Sequence, residues 1–325
     1  GVPMLALSAT AAPRVRADII RLLSLRSPLV QVSSARRDNL HYAMQRRPRD
    51  PMPQVLEALA MSHGASLIYA RTRRSVERWA ERLQEQNIDA TPYHAGLDPE
   101  TRQRALTRFL EQQRPVLVAT VAFGMGDDRG DVRLVLHLDL PATPEGYLQE
   151  SGRAGRDGLP AHCLVLFSPG DRTSLGWAMQ ASARKKGVND EQRRLDLAQQ
   201  QLRRMEAIAE GELCREQALL LAVGELVDPC NRCDRCCGTV QRRDWSTQAE
   251  TLLSHLQDQD GTDMRRLGEY LALNESGRGD RWTWLARRLV QEELISESND
   301  GIQRLYLRES GRRFLDAPWP LDYAA

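Results

Sequence analysis

The sequence predicts an α/β fold: a parallel, helix-covered sheet, then a helical cysteine-rich segment, then a winged-helix domain. Three observations support this prediction. Apolar runs such as 66–69 and 115–120 alternate with helical patterns of about ten residues between 54 and 167, as in a parallel sheet. Four of the six cysteines lie within residues 230–237. Three helical patterns and a hairpin signal follow those cysteines.

Composition limits the classes of protein to consider. The 325 residues are enough for about two domains, and 41% hydrophobic with 27% charged residues is typical of globular chains. No apolar run approaches the roughly 20 residues of a membrane span, and the N-terminus lacks a secretory signal pattern. We therefore expect a cytoplasmic protein without a membrane partner. The net charge of +1 does not by itself indicate a nucleic-acid binder.

The first half of the chain begins with elements that precede the regular alternation. Residues 3–8 are predicted to form a short buried strand, 13–25 a helix and 29–33 an extended piece. Residues 35–53, rich in Arg and Pro, are interpreted as a connector. The alternating part then predicts helices over 54–62, 73–86, 99–112 and 143–152, and strands over 66–69, 90–93, 115–120, 133–138 and 162–167.

The alternation stops at Ser168-Pro169-Gly170. Helices are predicted over 171–222 and, after the cysteines, over 246–260, 263–272 and 280–293. Asn299-Asp300-Gly301 separates two β-prone runs, 294–297 and 304–307, which is a strong hairpin signal. Three helices followed by a hairpin is the element order of a winged helix.

The cysteine cluster has the spacing of a metal site. Cys230, Cys233 and Cys236 are three residues apart, so local turns can present several sulfurs to one ion, with Zn–S near 2.3 Å. Cys214, 16 residues before Cys230, is the natural fourth ligand. Four protein ligands leave no open position on the ion, which predicts a structural rather than a catalytic zinc.

Alternatives for this site stay open at the level of the sequence. Cys237 can replace Cys236, and His255 is the best non-cysteine ligand. An iron–sulfur cluster also takes four thiolates.

A second cluster consists of one amide and two arginines. Gln149, Arg153 and Arg156 fall at positions i, i+4 and i+7, which share one face if the segment is helical. Paired guanidinium groups match the geometry of phosphate oxygens, and an arginine at a γ-phosphate is worth about 10³–10⁵ in rate. The segment therefore suggests a polyphosphate ligand. The alternative is a surface helix with solvated arginines.

Several segments, in this order and spacing, resemble the motifs of superfamily 2 helicases, most closely those of RecQ DNA helicases. They are Ser8-Ala9-Thr10, Tyr93–Leu97, Val118–Gly126, His137–Pro141 and Gln149–Gly158. The cysteine cluster resembles the zinc subdomain that follows the motor in that family, and the hairpin-bearing tail resembles its winged helix.

The resemblance implies an ATP-dependent 3′–5′ DNA helicase that unwinds duplex or forked DNA in repair and recombination. The resemblance divides the chain into four parts: the tail end of a first RecA-like lobe (1–36), the second RecA-like lobe (37–168), the helical zinc-binding subdomain (169–243) and the winged helix (244–325). The implied partners are single-stranded and duplex or forked DNA, with a single-stranded-DNA-binding protein as a further candidate. The implied location is nucleoid-associated, and the oligomeric state stays open.

The resemblance also implies roles at ATP and at single-stranded DNA. Arg153 and Arg156 would reach ATP across the lobes, with Arg156 as the arginine finger. Gln149 would couple the site to lobe closure. Ser8, Ala9 and Thr10 would form the coupling motif at the end of the first lobe. Single-stranded DNA phosphates would be contacted by Arg73, His94 and Thr120. The alternative for His94 is a turn histidine without a role at DNA.

The helix predicted over 280–293 has two faces of interest. Trp282, Leu285 and Leu289 share one face and are predicted to be core. Another face carries Trp284, Arg287 and Arg288, which are predicted to contact duplex phosphates as recognition helices do. The alternative is a solvated face with one exposed or interface tryptophan.

The chain departs from the family pattern in two ways. After Gly-Met-Gly the family usually has an apolar residue, an acid and Lys-Pro, whereas here Asp127-Asp128-Arg129-Gly130 follow; the extra acid is expected to weaken DNA contact. The chain also contains no Gly-Lys-Ser/Thr, so the P-loop and the DExH box are expected upstream of Gly1.

Two consequences for function follow from the second departure. ATP and Mg²⁺ would bind only together with the missing lobe, and the chain alone is expected to lack ATPase and unwinding activity. The competing interpretations are a half-motor that binds DNA or a partner without hydrolysis, and an RNA helicase of the same superfamily.

Overall fold

A computed structural model describes residues 3–8, 12–123, 129–184, 191–238, 242–274, 279–298 and 302–324. The chain divides into two compact units. One comprises residues 1–175 and 200–238, and the other comprises 176–199 and 239–325. Among the described helices, none combines the length and hydropathy that crossing a bilayer requires.

The first unit is built on a sheet of six strands. They are β1 (Leu40–Arg46), β2 (Ala65–Tyr69), β3 (Ala90–Tyr93), β4 (Val116–Ala119), β5 (Val132–His137) and β6 (Ala161–Phe167). Its helices are α1 (Pro13–Leu22), α2 (Met52–Met61), α3 (Arg73–Glu85), α4 (Pro99–Glu111), α5 (Pro144–Ser151), α8 (Arg215–Ala222) and α9 (Asp234–Cys237). Two further helices, α6 (Pro169–Arg184) and α7 (Glu191–Glu210), have residues in both units.

All strands of this sheet pair in parallel, in the order β1-β6-β5-β2-β4-β3. Every residue of β2 is buried, as expected of a central strand covered by helices on both faces. At the far edge, β3 contains Pro92, which an edge strand tolerates because it needs no amide on its free side. The predicted parallel, helix-covered sheet is therefore confirmed.

Two expectations for the N-terminal part are wrong. Residues 3–8 do not form a strand, and each of them is exposed, because no strand among the described residues pairs with them. The supposed connector 35–53 contains β1, an edge strand of the sheet. Polar His41 and Gln45 alternate in β1 with buried Leu40, Tyr42 and Met44, so the segment lacks the continuous apolar run of a central strand.

Side-chain caps set where the helices around the sheet begin. Thr72 Oγ1 accepts a hydrogen bond from the Ser75 amide (3.1 Å) at the start of α3. Thr143 Oγ1 accepts one from the Gly146 amide (2.9 Å) at the start of α5, where proline occupies the first helical position. These caps position Arg73 and the segment that leads to Gln149.

The free edge of β1 is covered by the cysteine-bearing segment. Helices α8 and α9 both contact β1, and Asp234 Oδ2 accepts a hydrogen bond from the Met44 amide at 3.0 Å. Covering an edge in this way prevents pairing with another strand. The cysteine region thus packs on the edge of the sheet, within the same compact unit.

Among the described residues, four helices and five short strands lie entirely within the second unit. They are α10 (Ser246–Asp258), α11 (Met264–Asn274), α12 (Gly279–Gln291) and α13 (Glu309–Asp316), with β7 (Arg242–Asp244), β8 (Thr262–Asp263), β9 (Ile295–Glu297), β10 (Arg304–Leu307) and β11 (Asp322–Ala324). Strands β8, β10 and β9 form an antiparallel sheet, and β11 pairs with β7. The three predicted helices and the two hairpin strands are present; residues 299–301 of the turn lie outside the described ranges.

Candidate metal centre and arginine loop

Four cysteine sulfurs converge in the first unit. The Sγ atoms of Cys214, Cys230, Cys233 and Cys236 all lie within 4.8 Å of one another. The Sγ atoms of Cys214 and Cys233 are 3.9 Å apart, and those of Cys230 and Cys236 are 4.0 Å apart. A tetrahedral ion with Zn–S bonds of about 2.3 Å places its sulfurs about 3.8 Å apart. The spacing therefore fits four thiolates around a single ion.

Backbone amides surround these sulfurs. Cys214 Sγ accepts from the Cys230 amide at 3.2 Å and from the Gln217 amide at 3.5 Å. Cys233 Sγ accepts from the Arg215 amide at 3.4 Å. Amide donors offset the negative charge that four thiolates bring to one ion and orient the ligands.

The alternative ligands lie elsewhere. Cys237 is exposed and its sulfur contacts the Asn231 carbonyl at 3.4 Å. The ring of His255 packs on Tyr270 within the second unit, 4.8 Å between centroids. Among the described residues, the ligand group contains neither of them.

Gln149, Arg153 and Arg156 lie on one short segment after β5. Helix α5 ends at Ser151, and a turn carries the chain from there to β6. Gln149 and Arg156 are exposed, whereas Arg153 is half-buried. The guanidinium of Arg153 lies 6.0 Å from the centroid of the Phe123 ring. We call residues 153–158 the arginine loop.

Backbone hydrogen bonds determine the conformation of the arginine loop. The Gly155 amide donates to the Val132 carbonyl at 2.9 Å, and the Gly158 amide donates to the Gly155 carbonyl at 3.0 Å. Gly155 has φ +55°, and a Cβ there would lie 2.4 Å from Asn39 Nδ2. Both its backbone conformation and its surroundings therefore require glycine.

The positions predicted to contact single-stranded DNA follow the carboxyl ends of three neighbouring strands. Arg73 follows β2, His94 follows β3 and Thr120 follows β4. The Thr120 amide donates to the Tyr93 carbonyl at 3.3 Å, and a Cβ on Gly96 would lie 2.8 Å from Arg73 Nη1. The fold thus brings these three positions together around the turn 93–97.

Within that turn, His94 is buried rather than presented to a ligand. Its Nδ1 accepts from the Gly96 amide at 3.2 Å, and its Nε2 lies 3.1 Å from Glu77 Oε1. Because Nδ1 is the acceptor, the proton is assigned to Nε2, which donates to Glu77. Through Nδ1 and Nε2, His94 joins the turn to Glu77 of α3, so neither ring nitrogen is presented to a DNA phosphate in this structure.

The predicted duplex-binding face of α12 is also buried. Trp284 packs on Trp245 with 4.8 Å between ring centroids, and the Arg288 guanidinium lies 4.7 Å from the Tyr323 ring centroid. Trp284, Arg287 and Arg288 are each less than 9% exposed. The structure therefore does not present these three side chains as an exposed face of α12, because α12 packs on more than one side within the second unit.

The coupling motif is only partly described. Ser8 is exposed, and Ala9 and Thr10 lie outside the described residues, as do Asp127 and Asp128. The neighbouring Arg129 bonds both carboxylate oxygens of Asp131, at 2.5 and 2.9 Å.

Comparison with known proteins matches the segments that carry both clusters. A family model for the helicase conserved C-terminal domain matches residues 51–158, and one for RecQ zinc-binding matches residues 169–237. The RecQ ATP-dependent DNA helicase of Haemophilus influenzae is 32% identical over 349 residues, covering 99% of this chain and 54% of that protein. The chain belongs to the RecQ family. The second model and the spacing of the sulfurs together support a structural zinc ion at the four cysteines.

Other RecQ relatives match smaller parts of the chain. Those of Pasteurella multocida and Bacillus subtilis are 37% and 34% identical, over 78% and 77% of this chain. The chain spans 39% and 42% of their lengths.

Three residues of this RecQ chain were not singled out from the sequence. Arg37 and Asn39 bond the carbonyl of Gly155 in the arginine loop, and Arg232 lies between two zinc ligands. The one available signal is the Arg-x-Asn spacing just before β1. The interpretation of residues 35–53 as a connector gives this spacing no structural role.

Proposed function

We propose that this chain supplies the second motor lobe, the zinc-binding subdomain and a winged-helix domain of an ATP-dependent 3′–5′ DNA helicase. The observation that carries the proposal is the arginine loop. It holds Arg153 and Arg156 three residues apart on a backbone fixed by Gly155. The relatives matched over most of the chain are named ATP-dependent DNA helicases.

In this proposal the arginine loop acts at the phosphates of ATP. Exposed Arg156 is the arginine finger, which stabilises charge on the γ-phosphate in the transition state. Arg153, half-buried against Phe123, and Gln149 couple phosphate contact to lobe closure. ATP and Mg²⁺ would be held together with a lobe that carries the P-loop and DExH box.

Single-stranded DNA would pass the carboxyl ends of β2, β3 and β4. Arg73 and the Thr120 side chain would contact its phosphates, which give affinity without sequence preference. His94 would act indirectly by holding the turn 93–97 against Arg73.

The second unit supports a winged-helix assignment through its order of three helices, an antiparallel sheet and a hairpin. Because Trp284, Arg287 and Arg288 are buried, we assign duplex contact to exposed groups such as Arg265, whose side chain is 82% exposed. The proposed helicase acts on forked DNA in repair and recombination. It is nucleoid-associated and works together with a single-stranded-DNA-binding protein.

The test is ATP hydrolysis by the native polypeptide that carries these residues, with and without single-stranded DNA. Arg156→Ala is expected to lower kcat at least about 10³-fold with KM for ATP changed little. Arg108→Gln, which alters a surface pair with Asp89, is the matched control and is expected to keep wild-type rates.

Two outcomes would overturn the proposal. A native polypeptide that binds forked DNA but hydrolyses no ATP is the half-motor binding protein. Tighter binding and faster unwinding of matched RNA than of forked DNA would indicate an RNA helicase.

A further inference from the structure

Arg232 links the zinc site to the segment that precedes β1. It lies between the ligands Cys230 and Cys233, and its Nη1 donates to the Cys230 carbonyl at 3.2 Å. Its Nε donates to the Leu40 carbonyl and its Nη2 to the Arg37 carbonyl, both at 3.1 Å. One guanidinium therefore holds the backbone on both sides of residues 38–39.

A buried acid holds Arg232 in this position. Glu216 Oε1 lies 2.5 Å from Arg232 Nη2, and the Glu216 side chain is 2% exposed. Glu216 also lies two residues after the ligand Cys214. The orientation of Arg232 is thus determined from two sides of the zinc site.

The segment that Arg232 holds reaches directly into the arginine loop. Arg37 Nη2 donates to the Gly155 carbonyl at 2.6 Å, and Asn39 Nδ2 donates to the same oxygen at 2.8 Å. Asn39 Nδ2 also donates to the Leu159 carbonyl at 2.8 Å. Arg37 Nε in turn donates to Asn39 Oδ1 at 3.3 Å, which orients the amide.

We propose that Arg232, Arg37 and Asn39 form a latch through which the zinc site positions the arginine loop. The inference rests on the proposed function, because it gives the loop the task of presenting Arg153 and Arg156 to ATP. The three are positioning residues, none of them proposed to contact the phosphates. Arg37 and Asn39 act on the backbone between the two arginines, and Arg232 acts through the backbone of residues 37 and 40. A displacement of about 1 Å in such a group can cost about 10²-fold in rate.

The latch predicts a local effect that zinc binding alone does not explain. Gly155 and Gly158 amides are protected by hydrogen bonds within the first unit, and amide exchange reports how often such bonds open. Asn39→Asp conserves volume but replaces the donor with an oxygen that repels both carbonyls. We expect the Gly155 and Gly158 amides to exchange about tenfold faster in Asn39→Asp and several-fold faster in Arg232→Gln, at unchanged zinc content.

Arg108→Gln is the matched control, and its exchange in the loop is expected to equal that of the wild type. The double variant Asn39→Asp/Arg232→Gln is expected to exchange no faster than Asn39→Asp alone, because both act in series on one contact. Unchanged exchange in both single variants, with zinc retained, would overturn the latch. So would additive effects in the double variant.

Steady-state ATP hydrolysis by the native polypeptide distinguishes a failure of the latch from a failure of the proposed function. The latch predicts that Asn39→Asp and Arg37→Gln lower kcat about tenfold or more while KM for ATP stays within about twofold. If Arg156→Ala leaves hydrolysis unchanged, the proposed function fails whatever the exchange shows. If Arg156→Ala abolishes hydrolysis but Asn39→Asp exchanges faster and keeps full kcat, the function stands and the positioning role fails.

Discussion

Arg215 and Asp234 form a two-point ion pair, with Nε–Oδ1 at 2.9 Å and Nη2–Oδ2 at 3.3 Å. Each follows a zinc ligand directly in the chain, Cys214 and Cys233 respectively. The Arg215 side chain is fully buried and also donates to the Gly211 carbonyl at 3.2 Å. Since Asp234 accepts a hydrogen bond from the Met44 amide of β1, the ion pair joins the zinc site to the edge of the sheet.

Removing one partner of this pair is expected to be costly. Arg215→Met leaves the Asp234 carboxylate without its cation in a largely buried place, which typically costs about 3–5 kcal/mol. Denaturant unfolding of the zinc-loaded protein measures the loss. Arg108→Gln, at an exposed pair, is expected to cost under about 1 kcal/mol. A loss for Arg215→Met as small as that of the control would contradict the structural role of the pair.

Zinc content tests the ligand set. Cys230→Ser is expected to lose most of its zinc and to unfold at lower temperature, because a structural ion contributes directly to folding free energy. Cys237→Ser, one residue beyond Cys236, is expected to retain one zinc per chain in elemental analysis. Loss of zinc from Cys237→Ser with retention in Cys236→Ser would replace Cys236 by Cys237 as the ligand.

Two glycines of the arginine loop provide a matched pair. Gly155→Ala combines positive φ with a Cβ 2.4 Å from Asn39 Nδ2, whereas Gly158→Ala has φ +83° and nothing within 4 Å. We expect Gly158→Ala to cost about 1 kcal/mol, the price of a left-handed backbone, and Gly155→Ala to cost clearly more. Thermal unfolding of both variants measures the difference, and equal losses would show that the contact with Asn39 is unimportant.

In the second unit, buried Trp284 and exposed Arg265 are expected to affect different properties, stability and DNA binding respectively. Trp284→Ala is expected to destabilise this unit by about 3–5 kcal/mol, because it removes a buried aromatic side chain. Arg265→Ala, at an exposed position, is expected to leave stability unchanged while weakening duplex binding and reducing its salt dependence by about one phosphate contact. Denaturation and a salt titration of DNA binding check the two variants. Weaker duplex binding by a fully stable Trp284→Ala would restore the DNA-facing role predicted for that helix.

Local sequence pattern predicted those parts of the fold that depend on local physics. The apolar run of β2 and the helical pattern of α3 are readable because a central strand and an amphipathic helix are each expressed within a few residues. Strand β1 was missed because an edge strand has one polar face and depends on its partner β6. The burial of Trp284 and Arg288 was missed because helical spacing shows that faces differ, not which of them is covered.

The sequence by itself determined the alternation of helices and strands between residues 54 and 167, the cysteine cluster and the paired arginines, because each is expressed in residue type and spacing along the chain. Tertiary structure decided what those residues contact. It showed His94 holding a turn, Asp234 covering a strand edge, and Arg232 bonded to the backbone before β1. The contacts of Asp234 and Arg232 with the β1 region join residues at least 190 positions apart. Such contacts depend on how the sheet and the cysteine segment pack, which no local pattern encodes.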